Sequence, residues 1–300
     1  MQRITPHLWF DKEAVEAAKL YTSTIPGSKI TDVSEIHDTP SGDVDTVSFE
    51  LGGQPFLAIS AGPHFRFTPA TSFLVRCGTR DEVDALWATL SEGGSALMPL
   101  DSYPFSDRYG WTEDRYGLSW QVMLDEGPIE QKITPTLMFT RDVCGKAEEA
   151  VEQYTSVFPD SKVGHILRYG EGQEPDRPGT IQHVGFSLAG HDFAAMDSAR
   201  EHEFGFNEAV SFMIGCETQD EVDYYWERLS AVPESEQCGW VKDRFGVSWQ
   251  VVPTVLDDLM SRGTEEQTAR VTQAFLGMKK LDVEELRRAF EGAETTTGGQ

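Results

Sequence analysis

The chain contains itself twice, and that repeat constrains its fold more than any other feature. Ile4-Thr5-Pro6 recurs as Ile133-Thr134-Pro135, an offset of 129. Tyr21-Thr22-Ser23 recurs as Tyr154-Thr155-Ser156 at 133, and Phe49 and Leu51 as Phe186 and Leu188 at 137. Cys77, the run 81–84 (DEVD) and Trp87 match Cys216, 220–223 and Trp226 at 139. Gly110-Trp111 and DRYGLSWQV (114–122) match Gly239-Trp240 and DRFGVSWQV (243–251), back at 129. The drift reads as small insertions followed by one deletion before Gly239. The period is far too long for a solenoid, so the halves are domain-sized copies. They span residues 1–127 and 131–256, joined at Glu126-Gly127-Pro128, with a helical tail over 264–290.

Each half has the same local pattern. Residues 4–10 alternate as a strand, with Ile4, Leu8 and Phe10 on one face and Thr5, His7 and Trp9 on the other. Residues 12–24 read as an amphipathic helix, with Asp11 as N-cap and Pro26-Gly27 as the stop. Strands follow at 29–36, 44–51 and 54–60, the last two joined at Gly52-Gly53. A second round gives a strand at 71–77, a helix at 80–91 opened by Thr79, and strands at 96–99, 106–112 and 118–124. This rhythm, four times per chain, predicts an α+β fold. Four βαβββ units pair into two domains with curved mixed sheets, helices outside and a concave inner face. Residues 264–276 and 282–290 predict tail helices packing on a sheet edge or on another copy; 293–300 read as disordered.

Composition narrows the partners. Acidic residues number 50 and basic ones 25, a net charge of -25. That argues against duplex nucleic acid, which is held by Lys and Arg, and against an anionic membrane surface. No apolar run approaches the roughly 18 residues that span a bilayer. MQRITPHLWF has no secretory signal pattern, and the four cysteines form no CxxC pair. The expectation is a cytoplasmic protein with reduced thiols that takes a small molecule, as a monomer or homodimer.

The four-fold rhythm resembles the vicinal oxygen chelate superfamily, which contains glyoxalase I, extradiol dioxygenases, fosfomycin-resistance enzymes and bleomycin-binding proteins. The sharper likeness is to its PhnB-like branch, also labelled 3-demethylubiquinone methyltransferase-like. ITPHLWF (4–10), ITPTLMF (133–139), GWTEDRYGLSWQV (110–122) and GWVKDRFGVSWQV (239–251) carry it, as does the tail around Met278. The resemblance implies a paired βαβββ fold. In metal-dependent members it implies two imidazoles and a carboxylate projecting into the cup from the first, fifth and eighth strands of a paired unit.

At those positions the first half has His7, Ser72 and Gln121, and the second has Thr136, Ser211 and Gln250. Hydroxyls and amides are poor ligands for a transition metal, so no metal is expected; His7 is the ligand if there is one. If the halves exchange strands, His7 meets Gln250, which is still too few. The cups are expected to hold His7, Trp9, Ser72 and Gln121 in one half, and Thr136, Met138, Ser211 and Gln250 in the other. The loop 101–111 adds Tyr103, Phe105, Tyr109 and Trp111 as a rim. Trp120 and Trp249 face away, under the helices, and Arg115 and Arg244 read as turn residues with local ion pairs. Methyl transfer needs a Gly-rich turn between a strand and a helix in a parallel sheet. The nearest candidate, Gly170-Glu171-Gly172, leads into Gln-Glu-Pro. The favoured function is a metal-free small-molecule-binding protein of unknown reaction. The alternatives are a divalent-metal-dependent dioxygenase- or lyase-type enzyme using His7, and a ligand-free interaction module.

Overall fold

The computed structural model describes residues 4–39 and 41–292, so the expected disorder of 293–300 lies outside the described residues. Unit one is β1 (Ile4–Phe10), α1 (Ala14–Thr24), β2 (Lys29–Thr39), β3 (Gly42–Leu51) and β4 (Gln54–Ser60). Unit two is β5 (Thr71–Cys77), α2 (Arg80–Leu90), β6 (Ser95–Tyr103), β7 (Ser106–Glu113) and β8 (Ser119–Leu124). Unit three is β9 (Ile133–Phe139), α3 (Ala147–Val157), β10 (Lys162–Arg168), β11 (Ile181–Leu188) and β12 (His191–Asp197). Unit four is β13 (Val210–Cys216), α4 (Gln219–Leu229), β14 (Trp240–Lys242) and β15 (Ser248–Pro253). The tail is α5 (Val255–Arg262), α6 (Glu265–Leu276) and α7 (Val283–Glu291). Among the described residues, no helix is long and apolar enough to cross a membrane.

The fold is the α+β arrangement of two mixed sheets, each built from two units. The units pair across the halves, however, and not within them. The first sheet runs β14-β15-β13-β1-β4-β3-β2, so unit one meets unit four. The second runs β10-β11-β12-β9-β5-β8-β7-β6, so unit two meets unit three. The seams are antiparallel: β1 on β13, with His7 opposite Ser211, and β5 on β9, with Ser72 opposite Thr136. This exchange decides which side chains share a cup.

Strand parity sorts the faces as expected. Leu8, Phe10, Trp120 and Trp249 lie on the helix side, in one continuous core with Tyr21 and Tyr154. Arg115 and Arg244 pair with Glu92 and Glu149 at 3.3 and 3.0 Å. Thr79 caps α2 through the Glu82 amide, and Thr218 caps α4 through the Glu221 amide.

Three local expectations need correction. Asp11 does not cap α1, which begins at Ala14. The Ala14 amide donates instead to Ser60 Oγ (3.2 Å), at the end of β4. The counterpart at α3 uses Asp197, at the end of β12, whose Oδ1 accepts from the Gly145 and Ala147 amides. The cap thus comes from a distant strand, which local sequence cannot display. The supposed loop 101–111 is a hairpin of β6 and β7. Pro99 and three register shifts disguise β6, features tolerated because it is an edge strand. Finally, α5 precedes the two tail helices that periodicity indicates.

The deletion before Gly239 removes from unit four the strand equivalent to β6. The tail takes its place: the Cys238 and Gly239 amides donate to the Met278 and Lys279 carbonyls, both at 2.8 Å. Gly239 has φ 86°, and a Cβ there would come within 2.9 Å of the Val251 carbonyl. Leu259, Val271, Leu281 and Leu286 then form a small core of their own over Val252.

Asp114 and Asp243 are buried at matching places. Asp114 Oδ2 accepts from Tyr21 Oη (2.6 Å) and Trp120 Nε1 (3.0 Å), and Oδ1 from the Tyr116 and Leu118 amides. Asp243 repeats this with Tyr154, Trp249, Phe245 and Val247. Burial pushes both carboxyls above their usual range, against the pull of these hydrogen bonds. An amide at either place would turn its NH2 toward donors. Asp114→Asn and Asp243→Asn should each cost about 3 kcal/mol, and Tyr21→Phe about 1 kcal/mol, in urea unfolding. A loss below about 0.5 kcal/mol for both aspartate variants would contradict this account.

Candidate functional site

The eight cup positions do form two groups, but the exchange of units redistributes them. On the first sheet, β1 contributes His7 and Trp9, β13 Ser211 and β15 Gln250. On the second, β5 contributes Ser72, β8 Gln121, and β9 Thr136 and Met138. His7 and Gln121 therefore do not share a cup, and neither do Thr136 and Gln250.

On the first sheet, Gln250 Nε2 donates to Ser211 Oγ at 2.9 Å, and Ser211 lies opposite His7. Trp240 sits beside Gln250 in register. Its ring meets His7 edge-on at 5.5 Å between centroids and Trp9 at 6.1 Å. Trp9 also packs against Phe65 at 5.1 Å and donates from Nε1 to the Gly62 carbonyl. His7 is half-buried, but its Nδ1 is fully enclosed and has no hydrogen-bond partner. Burial lowers its pKa from 6.5 to about 4, so the ring is neutral at neutral pH. Sequence reasoning passed over Trp240 and Phe65. Trp240 is legible in the sequence as the repeat of Trp111 in the expected rim.

The second cup is closed at its centre. Gln121 Nε2 donates to Ser72 Oγ (2.7 Å), and Tyr109 Oη donates to Gln121 Oε1 (2.7 Å). Tyr109 is only 5% exposed and so is no rim residue. Burial, with a smaller effect of Tyr103, pushes its hydroxyl well up, which keeps it a donor. Phe105, 60% exposed, and Tyr103 stack at 5.7 Å over Tyr109 at the hairpin tip. Trp111 Nε1 donates to Ser119 Oγ, Thr136 Oγ1 donates to the Thr134 carbonyl, and Met138 is buried. The repeat counterpart of Tyr109 is Cys238, which sits in the turn before β14 at φ 50° with its Sγ against the Leu276 carbonyl of the tail.

These donors do not fit a divalent metal. The first cup offers one imidazole, one hydroxyl and one amide, and the second two hydroxyls and an amide. In both, the amide nitrogen donates to the serine, and in the second cup the amide oxygen also accepts from Tyr109. Among the described residues, a three-donor group close enough for an ion is Glu35, His37 and Asp43. It is exposed on the β2–β3 hairpin, outside both cups. Cys77 and Cys216 are buried strand thiols, pushed up to about 12 by burial first of all. Gly170-Glu171-Gly172 lies between β10 and β11 and leads to a strand, not a helix.

The family model described as 3-demethylubiquinone-9 3-methyltransferase matches residues 2–123 and again 131–252. The chain belongs to this family. The likeness to a Bacillus cereus PhnB protein, itself described as a 3-demethylubiquinone-9 3-methyltransferase, is 39% in identity. It covers 41% of this chain and 99% of that one, with a TM-score of 0.39. Glyoxalase I from Zea mays is 11% identical over 87% of this chain and 96% of its own, with a TM-score of 0.58. That is a likeness of fold. No curated protein matches the chain.

His7 provides a stability test. Its pKa is about 4 folded and 6.5 free, so the unfolded chain binds the proton more readily. The stability from neutral His7 should be complete above pH 6.5 and erode as the pH falls toward 4. Urea midpoints at pH 7 and pH 5 should fall less in His7→Gln than in the wild type. Equal falls would mean that His7 titrates as a solvated imidazole.

Proposed function

We propose that the chain is a small-molecule-binding protein whose working cup is on the first sheet. There His7 and Gln250 orient the polar end of an aromatic or apolar ligand between Trp9 and Trp240. The observation that carries this is the contrast between the cups. The same buried Gln–Ser pair is shut in by Tyr109 on the second sheet, whereas on the first it adjoins His7, Trp9 and Trp240, all three of which keep partial exposure. Apolar walls with a few placed polar groups are the usual make-up of a ligand site. A neutral imidazole can donate from one nitrogen and accept at the other, and no protein group sets its tautomer through Nδ1.

The other readings find less support. A dioxygenase- or lyase-type metal reaction would rest on a single imidazole. A ligand-free interaction module would fill its cups with its own side chains, as Tyr109 does on the second sheet; on the first, His7, Trp9 and Trp240 keep partial exposure. Methyl transfer, the activity in the family's description, would need a Gly-rich turn between strand and helix in a parallel sheet, and among the described residues no strand-to-helix connection carries one. Expected partners remain a small molecule, with no nucleic acid or membrane.

A panel of aromatic and apolar small molecules should include one that saturably quenches tryptophan fluorescence. His7→Ala, Trp9→Ala and Gln250→Ala should each weaken that ligand, while Tyr109→Phe should not. The chain should hold well under one metal ion after anaerobic incubation with ferrous iron, manganese, nickel and zinc. Near one metal per chain, lost in His7→Ala, would overturn the metal-free reading. A quenching ligand indifferent to all three variants would overturn the placement in this cup.

A further inference from the structure

The corner of the second cup beside β10, β11 and β12 holds a cavity of about 150 Å3. Arg76, Lys162, Ser187 and Asp192 bring polar groups to its lining, and Gly164 and Gly185 leave it open. Arg76 alternates with Ser72 and Leu74 on β5, which puts it on the cup face. Its Nε is buried and makes no hydrogen bond. Its ion-pair partner, Asp125, stands 3.9 Å away, beyond hydrogen-bond range. A buried guanidinium N–H without an acceptor is costly, and so asks what the place is built to hold. His183, on the same face of β11, has its pKa lowered by burial, then by Arg76 and His165. The field of Arg76 therefore reaches into this cup.

The duplication supplies an internal control. At the matching places on the first sheet, Gly215 stands for Arg76, Glu50 for Ser187 and Lys29 for Lys162. Lys29 lies opposite Glu50 in register and pairs with it at 3.2 Å. Lys162 holds the same register against Ser187. One cup thus cancels its lysine and omits the arginine; the other keeps both cations at a cavity, in a chain of net charge -25.

We propose that this corner binds a small molecule through an anionic oxygen group, phosphate or carboxylate, held by Arg76 and Lys162 with Ser187 as a further donor. Asp192 repels the anion from its own side and accepts from a donor elsewhere on the ligand. The cavity has the volume of roughly five water molecules at about 30 Å3 each, so it takes a small anion or one end of a longer ligand. The proposal is independent of the His7 cup, which lies on the other sheet.

The test is titration of the full-length chain with inorganic phosphate and, separately, with acetate, followed by calorimetry and amide NMR shifts. One of the two probes should bind saturably at one site and shift the Gly185 and Ser187 amides; which one does so identifies the ligand class. Arg76→Gln and Lys162→Gln should each weaken binding about tenfold or more, the loss of a charge-assisted hydrogen bond. Gly185→Leu should abolish it with circular dichroism unchanged, because a Cβ there meets nothing within 4 Å. Lys29→Gln should leave it intact. The proposal fails if neither probe saturates by tens of millimolar, or if binding survives both Gly185→Leu and Arg76→Gln.

Discussion

The two buried aspartates hold the molecule together in a direction the sheets do not. Hydrogen-bonded strands join unit one to unit four and unit two to unit three. Nothing in that pairing ties one sheet to the other. Tyr21 lies on α1 of unit one, and its partner Asp114 lies in the turn between β7 and β8 of unit two. Tyr154 on α3 reaches Asp243 in unit four in the same way. Each carboxylate therefore bolts one sheet to the helix covering the other. A carboxylate removed from water and left unpaired costs several kcal/mol, so the position is tolerable only with its donors in place. With four donors converging, the cost becomes a geometric demand: helix, turn and strand must arrive together.

The nine-residue repeat around these aspartates connects that core to the cups. Its aspartate accepts the bolt, its arginine stays outside in an ion pair, and its glycine closes the turn at φ 86° or 92°. Its tryptophan fills the core and donates to the aspartate. One residue later, on the opposite face, its glutamine enters the cup and holds a serine from the neighbouring strand. The orientation of Gln121 and Gln250 is thus inherited from the packing of Trp120 and Trp249 behind them.

That chain of dependence explains what the sequence displays and what it hides. Parity along a strand is local, so the assignment of His7 and Trp9 to one face and Leu8 to the other follows from the letters. So does the presence of Gln121, Gln250, Ser72 and Ser211 in cups. Which cup each residue enters depends on which units dock, His7 meeting Ser211 far along the chain and Ser72 meeting Thr136 in the next half, and both halves offer equivalent seams. The Ser60 and Asp197 caps are hidden because each stands at the far end of its own unit from the helix it caps. Asp114 and Asp243 look like turn residues because their neighbours Arg115 and Arg244 are; only the Tyr and Trp donors around them mark the burial. The tail's helical periodicity is legible, but its service as a missing edge strand is not, because backbone hydrogen bonds leave no side-chain pattern.

Duplication followed by divergence gives the two cups different chemistry on one frame. At the centre, Tyr109 seals one glutamine, while its repeat counterpart Cys238 turns to the tail and the other glutamine adjoins His7 and Trp240. At the corner, Arg76 and Ser187 stand where Gly215 and Glu50 stand on the other sheet. None of these three differences touches the core motif, and Tyr109, Arg76 and Ser187 all lie on the cup face of the second sheet. A structural repeat under no demand but folding would let its cup faces drift toward solvated, mutually satisfied side chains, as Lys29 and Glu50 do. The departures run the other way: an enclosed imidazole nitrogen without a partner in one cup, and an enclosed guanidinium nitrogen without a partner in the other. Both are costs that packing alone does not require, and each falls on the face that the frame holds open.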